Sequence, residues 1–345
     1  MKNFSYFRPA TPGQAIALLG SGWGKIELLA GGTDLLDLQK EYVAQPDAVV
    51  SLGGINAKGF RDIQAAYPPG AFPPSITIGA GVTLAQIAAS KDLAAYAALT
   101  TAARMIGGPQ IRNMGTLGGN LCQRNRCWYF RDDEIPCLIK GGEKCYALDG
   151  ENQYHAIFTK RQPCVIVHPS TLAPALIAFG ASAEVQGLKG SRKIPIEELF
   201  HTPKSPDDRE HVLAPNEILM SVSFAAGSPQ FAKFCSASYE VRHKQSYDWP
   251  LVQAACAFHF ERDSKVAKGV RVVLGHVAPT PLLCTAAAAA IEGKEINEET
   301  AAAAGKAACD GAAPLKQNAY KVRLLEVAVK RAILTAAGAP KYWEL

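Results

Sequence analysis

Between Gly115 and Cys164 a glycine-rich turn, Gly115-Thr116-Leu117-Gly118-Gly119-Asn120-Leu121, runs straight into cysteines at Cys122, Cys127, Cys137, Cys145 and Cys164. So many glycines suit a wrapping loop and not a helix interior, and the cysteines that follow are too unevenly spaced for a regular element. A glycine turn lets backbone amides approach phosphate oxygens, and several thiolates in one irregular loop can surround iron or zinc. The pair points to a phosphate-bearing cofactor beside a metal centre, the equipment of a protein that moves electrons.

The chain has 345 residues, 48% of them hydrophobic and 19% charged, enough for two or three packed domains. Its formal net charge is only +5 and Lys and Arg are scattered, which argues against nucleic acid as a partner. The start, Met1 to Pro9, has no apolar signal core, and no stretch reaches the roughly 18 apolar residues of a membrane helix. Nine cysteines without a signal suggest reduced thiols and a cytoplasmic chain, with export left open only on a signal-bearing partner.

Local patterns predict a Thr11-capped helix through Leu19, a strand over Lys25 to Ala30, the turn Gly31-Gly32-Thr33-Asp34 and a helix over Leu35 to Lys40. Strands near Ala48 to Leu52 and Ser75 to Ile78, a Thr83-capped helix and a helical run from Leu93 to Ile106 follow. Beyond the cysteines, Ser170 caps a helix over Leu172 to Ile177, and strands are expected at Ala183 to Gln186 and Leu219 to Phe224. Gly187, Gly190 and Ser191 read as a turn. After Gly227 come strands over Val252 to Phe260 and Val270 to Val277. Ala-rich helices follow over Pro281 to Ile291, Glu298 to Ala308 and Tyr320 to Ala337. A domain boundary near Gly227 divides the chain into residues 1–227 and 228–345.

The first glycine turn lacks the GxGxxG spacing, and a structural turn with Thr33 or Asp34 capping the next helix would look the same. A second turn some eighty residues on suits an extended dinucleotide, whose pyrophosphate and sugars lie apart. Thr116 and Asn120 could serve phosphate or ribose, or local backbone. Gly32 and Gly119 are expected to tolerate a side chain least. The cysteine intervals fit iron and sulfur better than the paired spacing of zinc sites. Arg124, Arg126, Arg131, Lys140 and Lys144 imply a polar, exposed segment that offsets thiolate charge. Cys235, Cys256, Cys284 and Cys309 read as core residues, and the seven histidines are dispersed and read as structural. The cysteine loop and the stretch Pro203 to Pro215 are candidate docking surfaces.

Several segments together resemble the medium, FAD-binding subunit of molybdenum hydroxylases, the relatives of xanthine dehydrogenase and carbon monoxide dehydrogenase. They are Leu29-Ala30-Gly31-Gly32-Thr33-Asp34-Leu35, Ile106-Gly107 with Gln110-Ile111-Arg112-Asn113, the second turn, Glu217-Ile218-Leu219 and Leu274 to Leu282. The stretch from Cys127-Trp128-Tyr129-Phe130-Arg131 to Cys164-Val165-Ile166-Val167-His168-Pro169 is similar to the insertion of the 4-hydroxybenzoyl-CoA reductase and aldehyde oxidoreductase branch. The resemblance implies an α+β fold: a PCMH-type FAD-binding domain of two α/β subdomains, with a [4Fe-4S] loop at about residues 122–165. A C-terminal α+β domain with a small antiparallel sheet and helices completes it.

It further implies FAD contacts at Leu28, Leu29, Ala30, Gly31, Gly32, Thr33, Asp34, Leu35, Ile106, Gly107, Gly115, Thr116, Gly119, Asn120, Cys122, Gln123, Thr171, Ile218, Leu219 and Glu240. The cluster ligands would be Cys127, Cys137, Cys145 and Cys164, and no catalytic acid or base is expected. Thr171 and Glu240 depart from the pattern, which often has Asp and Lys there. The implied role is an electron-transfer oxidoreductase subunit working with a molybdopterin-containing large subunit and a [2Fe-2S] small subunit, as a heterotrimer or a dimer of heterotrimers. A stand-alone FAD oxidoreductase of the same fold and a zinc-binding scaffold are the alternatives.

Overall fold

Short apolar runs punctuated by glycine and proline predict many short strands, and the computed structural model, which describes residues 1–67, 73–160, 162–225, 233–261 and 264–344, contains them. Twelve occur among the described residues: β1 (Ser5–Phe7), β2 (Ile26–Leu29), β3 (Ala48–Ser51), β4 (Ile63–Ala66), β5 (Ser75–Gly79), β6 (Ser182–Gly187), β7 (Gly190–Pro195), β8 (Ile218–Phe224), β9 (Lys233–Val241), β10 (Val252–Phe260), β11 (Ala267–Gly275) and β12 (Leu282–Leu283). They form three sheets: a parallel one ordered β1-β3-β2, a five-stranded antiparallel one ordered β4-β5-β8-β6-β7, and a four-stranded antiparallel one ordered β12-β11-β10-β9.

Parallel neighbours need a crossover, and the helices Pro12–Leu18 and Leu35–Lys40 supply it in the first sheet. Thr11 opens the first of these with a reciprocal bond to Gln14, and Thr83 does the same with Gln86 for the helix Leu84–Ala89, as the sequence predicts. Ser170 Oγ accepts from the Ala173 amide at the start of Leu172–Ala178, a helix buried along its whole length. In the last sheet β10 is buried almost throughout because the helix Tyr320–Ala337 covers one face with Leu325, Ala328, Val329 and Ala332. That helix ends where Gly338 takes a positive φ of 77°, as its C-terminal glycine predicts.

Several elements differ from the expectation. The helix before Gly107 starts only at Ala97, and the glycine-rich stretch to Gln123 holds two short helices, Pro109–Met114 and Leu117–Leu121. The second survives its glycines because its first amides are held from outside: Leu117 donates to the Val82 carbonyl and Gly118 to that of Ala80, each at 2.8 Å. Pro281 lies ahead of a two-residue strand, so the next helix begins at Thr285. Strands β1, β4, β7 and β9 were not anticipated: β1 and β4 are only three and four residues long, β7 is largely polar and exposed, and β9 mixes its alternating Cys235, Ala237, Tyr239 and Val241 with small polar residues. The expected boundary at Gly227 lies outside the described residues. No described helix is long and apolar enough to cross a membrane.

Candidate cofactor site

At the end of β2 the chain turns through Gly31 and Gly32, and the following helix begins at Leu35. Gly32 adopts a φ of 77°, which a residue with a Cβ resists. Among the described residues, no protein acceptor takes the backbone amides of Gly31, Gly32, Thr33, Asp34 or Leu35. Five successive free N–H groups make an anion-binding concavity. Its one adverse charge is neutralised: the Asp34 carboxylate accepts from the Arg124 amide at 2.8 Å and pairs with Arg131 at 2.6 Å and Arg126 at 3.0 Å. Asp34 therefore does not cap its helix; it ties the turn to the start of the cysteine loop.

The second turn behaves differently. Most of its amides are already engaged, since beyond Leu117 and Gly118 the Gly115 amide donates to the Ile111 carbonyl at 2.7 Å and that of Gly119 to Thr116 Oγ1 at 3.1 Å; the Thr116 amide has no protein acceptor among the described residues. Asn120 accepts from Ser170 Oγ at 2.7 Å. The two turns touch: a Cβ on Gly31 would sit 1.9 Å from the Met114 carbonyl oxygen, whereas one on Gly32 or Gly119 would meet only side-chain atoms, at 3.1 Å and 3.2 Å. Gly31 is thus the turn glycine packed closest against the other turn, while the constraint on Gly32 is its positive φ.

Between the turns runs a cleft of 1140 Å³, above the roughly 300–1,000 Å³ of ordinary ligand pockets and suited to an extended dinucleotide. Of the residues expected to contact a flavin nucleotide, all but Leu29 and Glu240 line it. Leu29 packs behind Gly32. Glu240 stands one layer back, 3.4 Å from Arg242, which in turn donates to the carbonyl of the lining residue Met105 at 2.8 Å. Burial pushes the Glu240 carboxyl up to about 7. Thr171 is buried at the wall, its carbonyl accepting from Gln253 at 2.9 Å. The mouth carries Tyr247 and Trp249, which sequence reasoning did not single out; Arg126 lies over the Trp249 ring at 4.6 Å.

The cysteine loop is exposed over residues 132–134, 143–144 and 148–151, Lys144 included, but its arginines are not. Arg124, Arg126 and Arg131 are all largely buried, because carboxylates hold them: Arg124 pairs at 2.8 Å with Glu210, a carboxylate with no exposed surface that also takes the Asn125 amide at 3.0 Å. Glu210 belongs to the stretch Pro203 to Pro215, and Arg209 of that stretch pairs with Glu27 at 3.1 Å. That segment thus closes over the cleft and the cysteine loop through ion pairs, and its buried part is not a free docking surface. Lys140 reaches the Asp132 carbonyl and Lys144 lies over Tyr146.

The structure brings Cys127, Cys137, Cys145 and Cys164 together and leaves Cys122 apart, against the cleft. Backbone amides lie near each of the four sulfurs and favour their thiolate forms: Tyr129 and Phe130 at Cys127, Ile139 and Lys140 at Cys137, Ala147, Leu148 and Val165 at Cys145, and Ile166 at Cys164; of these, Phe130, Lys140 and Leu148 donate to the carbonyls of Cys127, Cys137 and Cys145. The thiol of Cys164 donates to Cys145, which pulls Cys145 down to about 6 and holds Cys164 up. Burial pushes Cys122 and Cys127 up to about 12. No amide assists Cys122. Among the described residues no three His, Cys, Asp or Glu side chains are set to hold a single metal ion. One histidine reaches the group: His155 Nε2 lies 3.2 Å from Cys127 Sγ.

Comparison with known proteins adds to this geometry. Residues 2–225 match the FAD binding domain in molybdopterin dehydrogenase, and residues 237–336 match the CO dehydrogenase flavoprotein C-terminal domain. The chain is 30% identical to the aldehyde oxidoreductase FAD-binding subunit PaoB of Escherichia coli K12, over 94% of this chain and 95% of that one. It is 27% identical to the carbon monoxide dehydrogenase medium chain of Hydrogenophaga pseudoflava, over 96% of each. Among solved structures, carbon monoxide dehydrogenase from Hydrogenophaga pseudoflava that lacks the Mo-pyranopterin moiety of its cofactor superposes with a TM-score of 0.72 at 26% identity, covering 97% of both chains.

Proposed function

The chain belongs to the FAD-binding subunits of the molybdenum hydroxylase family, and from that premise we propose that it is the FAD- and [4Fe-4S]-containing electron-transfer subunit of a heteromeric molybdenum hydroxylase. The observation that carries the reading is the gathering of four thiols, each with backbone N–H groups nearby, beside a cleft whose first turn offers five free amides. N–H groups near sulfur stabilise thiolates, and they are one of the means by which proteins set iron–sulfur potentials.

In this reading Gly31 to Leu35 bind the pyrophosphate through their amides. Asp34, paired to Arg126 and Arg131, keeps that turn in place without repelling the anion. Gly115, Thr116, Gly119 and Asn120 shape the opposite wall, Ile106, Gly107, Ile218 and Leu219 supply apolar surface, and Cys122, Gln123 and Thr171 close the wall. Cys127, Cys137, Cys145 and Cys164 hold the cluster, one thiolate per iron. FAD supplies two-electron exchange with an external donor or acceptor and the cluster one-electron transfer, while the protein contributes orientation and electrostatics. Glu240 stands behind the cleft wall, and substrate conversion is assigned to a molybdopterin-containing partner, with a [2Fe-2S] subunit between. The relatives are themselves termed a subunit and a medium chain, which supports a multi-chain assembly.

The test is the purified chain with and without those partners. Flavin bands with a broad iron–sulfur shoulder, about four irons per chain, dye reduction through FAD and substrate turnover only on adding the molybdenum subunit are expected. A colourless zinc protein, or substrate turnover by the chain alone with molybdenum absent by elemental analysis, would sink the proposal.

A further inference from the structure

His155 has no role in the arrangement described so far, yet its position is firmly set. The residue is 4% exposed, and its ring lies edge-on to Trp128 at 5.4 Å and beside Tyr129. Its backbone is clamped from the C-terminal domain: the His155 carbonyl accepts from the buried Lys321 Nζ at 3.0 Å and from Asn318 Nδ2 at 3.1 Å. Its own amide donates to the Asn152 carbonyl at 3.0 Å. The same Lys321 Nζ donates to the His276 carbonyl at 2.8 Å, and Asn318 Nδ2 to that of Ala156 at 2.9 Å. The ring is therefore fixed against Cys127 by a helix start more than 160 residues away in sequence.

A buried neutral imidazole carries one N–H, on either nitrogen. While Cys127 is a thiol, either partner of the 3.2 Å contact can donate. Once its sulfur binds iron it has no hydrogen, and the contact is attractive only with the proton on Nε2. Nδ1 is buried and makes no hydrogen bond of normal geometry, and the Asn152 carbonyl beside the ring is the one competitor for that hydrogen. Adding an electron to a cluster adds negative charge to its thiolates, so a hydrogen bond to one of them favours the reduced form and raises the potential.

Resting on the cluster reading above, we propose that His155 donates its Nε2 hydrogen to the Cys127 thiolate and, as a positioning residue held by Lys321 and Asn318, raises the reduction potential of the cluster. The test uses the full chain with its partners, as parent, His155→Leu and His155→Gln, with iron and sulfide analysis and a redox titration followed by electron paramagnetic resonance. With iron retained, His155→Leu should make the one-electron reduction about tenfold less favourable, a fall of about 59 mV. His155→Gln, which keeps an N–H donor, should lie between the two, and the flavin potential should stay put in both. An unshifted cluster in His155→Leu, an equal shift in flavin and cluster, or loss of iron from both variants would overturn the assignment. Parent protein without iron would instead bring down the cluster reading itself.

Discussion

Replacing Gly31 by alanine separates the scaffold reading of the two turns from the phosphate-clash reading. An alanine Cβ would lie 1.9 Å from the Met114 carbonyl oxygen and 2.5 Å from its carbon, where real contacts essentially never fall below 3.0 Å, so the turns must part by at least 1.1 Å. Both contacted atoms are backbone, so no rotamer change relieves them. Overpacking of this kind costs about 1–3 kcal/mol. If the apo protein relaxes by opening the cleft, that cost falls on the bound state, and FAD binding should weaken about 5- to 150-fold at about 1.4 kcal/mol per factor of ten. Gly32→Ala meets only methyl groups of Leu36 and Leu29, at 3.1 Å and 3.4 Å, but keeps a φ of 77° and should lose about 1–2 kcal/mol of stability. Gly13→Ala, with open space around it, is the control. Apo variants titrated with FAD by fluorescence quenching, alongside thermal melts, provide the measurement. Folded Gly31→Ala that binds FAD as tightly as Gly13→Ala would refute the contact between the turns as a determinant of the site.

Asp34→Asn strips the charge that holds Arg126 and the largely buried Arg131, and should cost about 1.5–3 kcal/mol in urea unfolding, whereas the half-exposed Asp37→Asn should cost under about 1 kcal/mol; equal losses would deny Asp34 its anchoring role. Serine at Cys127, Cys137, Cys145 or Cys164 should remove most of the iron, while Cys122→Ser keeps it; iron lost equally from Cys122→Ser would show the wrong four were chosen. Glu240 titrates at about 7 when folded against an ordinary 4.5, so its contribution to stability is complete below pH 4.5 and is lost as pH rises through 7. Glu240→Gln should flatten the stability curve across that window and gain on the order of 3 kcal/mol above it, and melts of parent and variant that run parallel between pH 4.5 and 8 would disprove the buried-acid assignment.

Much of the framework was legible because it depends on near neighbours. Thr11 and Thr83 each stand three residues before a glutamine, and both capping boxes form. The helix Tyr320–Ala337 follows its apolar period to the glycine that ends it, and β10 follows its mostly apolar run. The stretch from Gly107 to Gln123 misled because its second short helix is held by carbonyls of Ala80 and Val82, which no local pattern contains.

By itself the sequence determined that glycine turns and a cysteine-bearing segment meet in one α+β chain, because turn chemistry and residue type are local properties. Only the tertiary structure decided how the parts divide the work. It left the first turn's amides free while engaging most of those of the second, and it buried Arg124 and Arg131 against Glu210 and Asp34, about 90 residues away. It also set four of the five loop cysteines among backbone amides, left the fifth on the cleft wall, and brought an otherwise unremarked His155 to Cys127. Charges and thiols find partners through the folded path of the chain, and a buried charge or a free amide is defined by what distant segments bring to it, not by its neighbours in sequence.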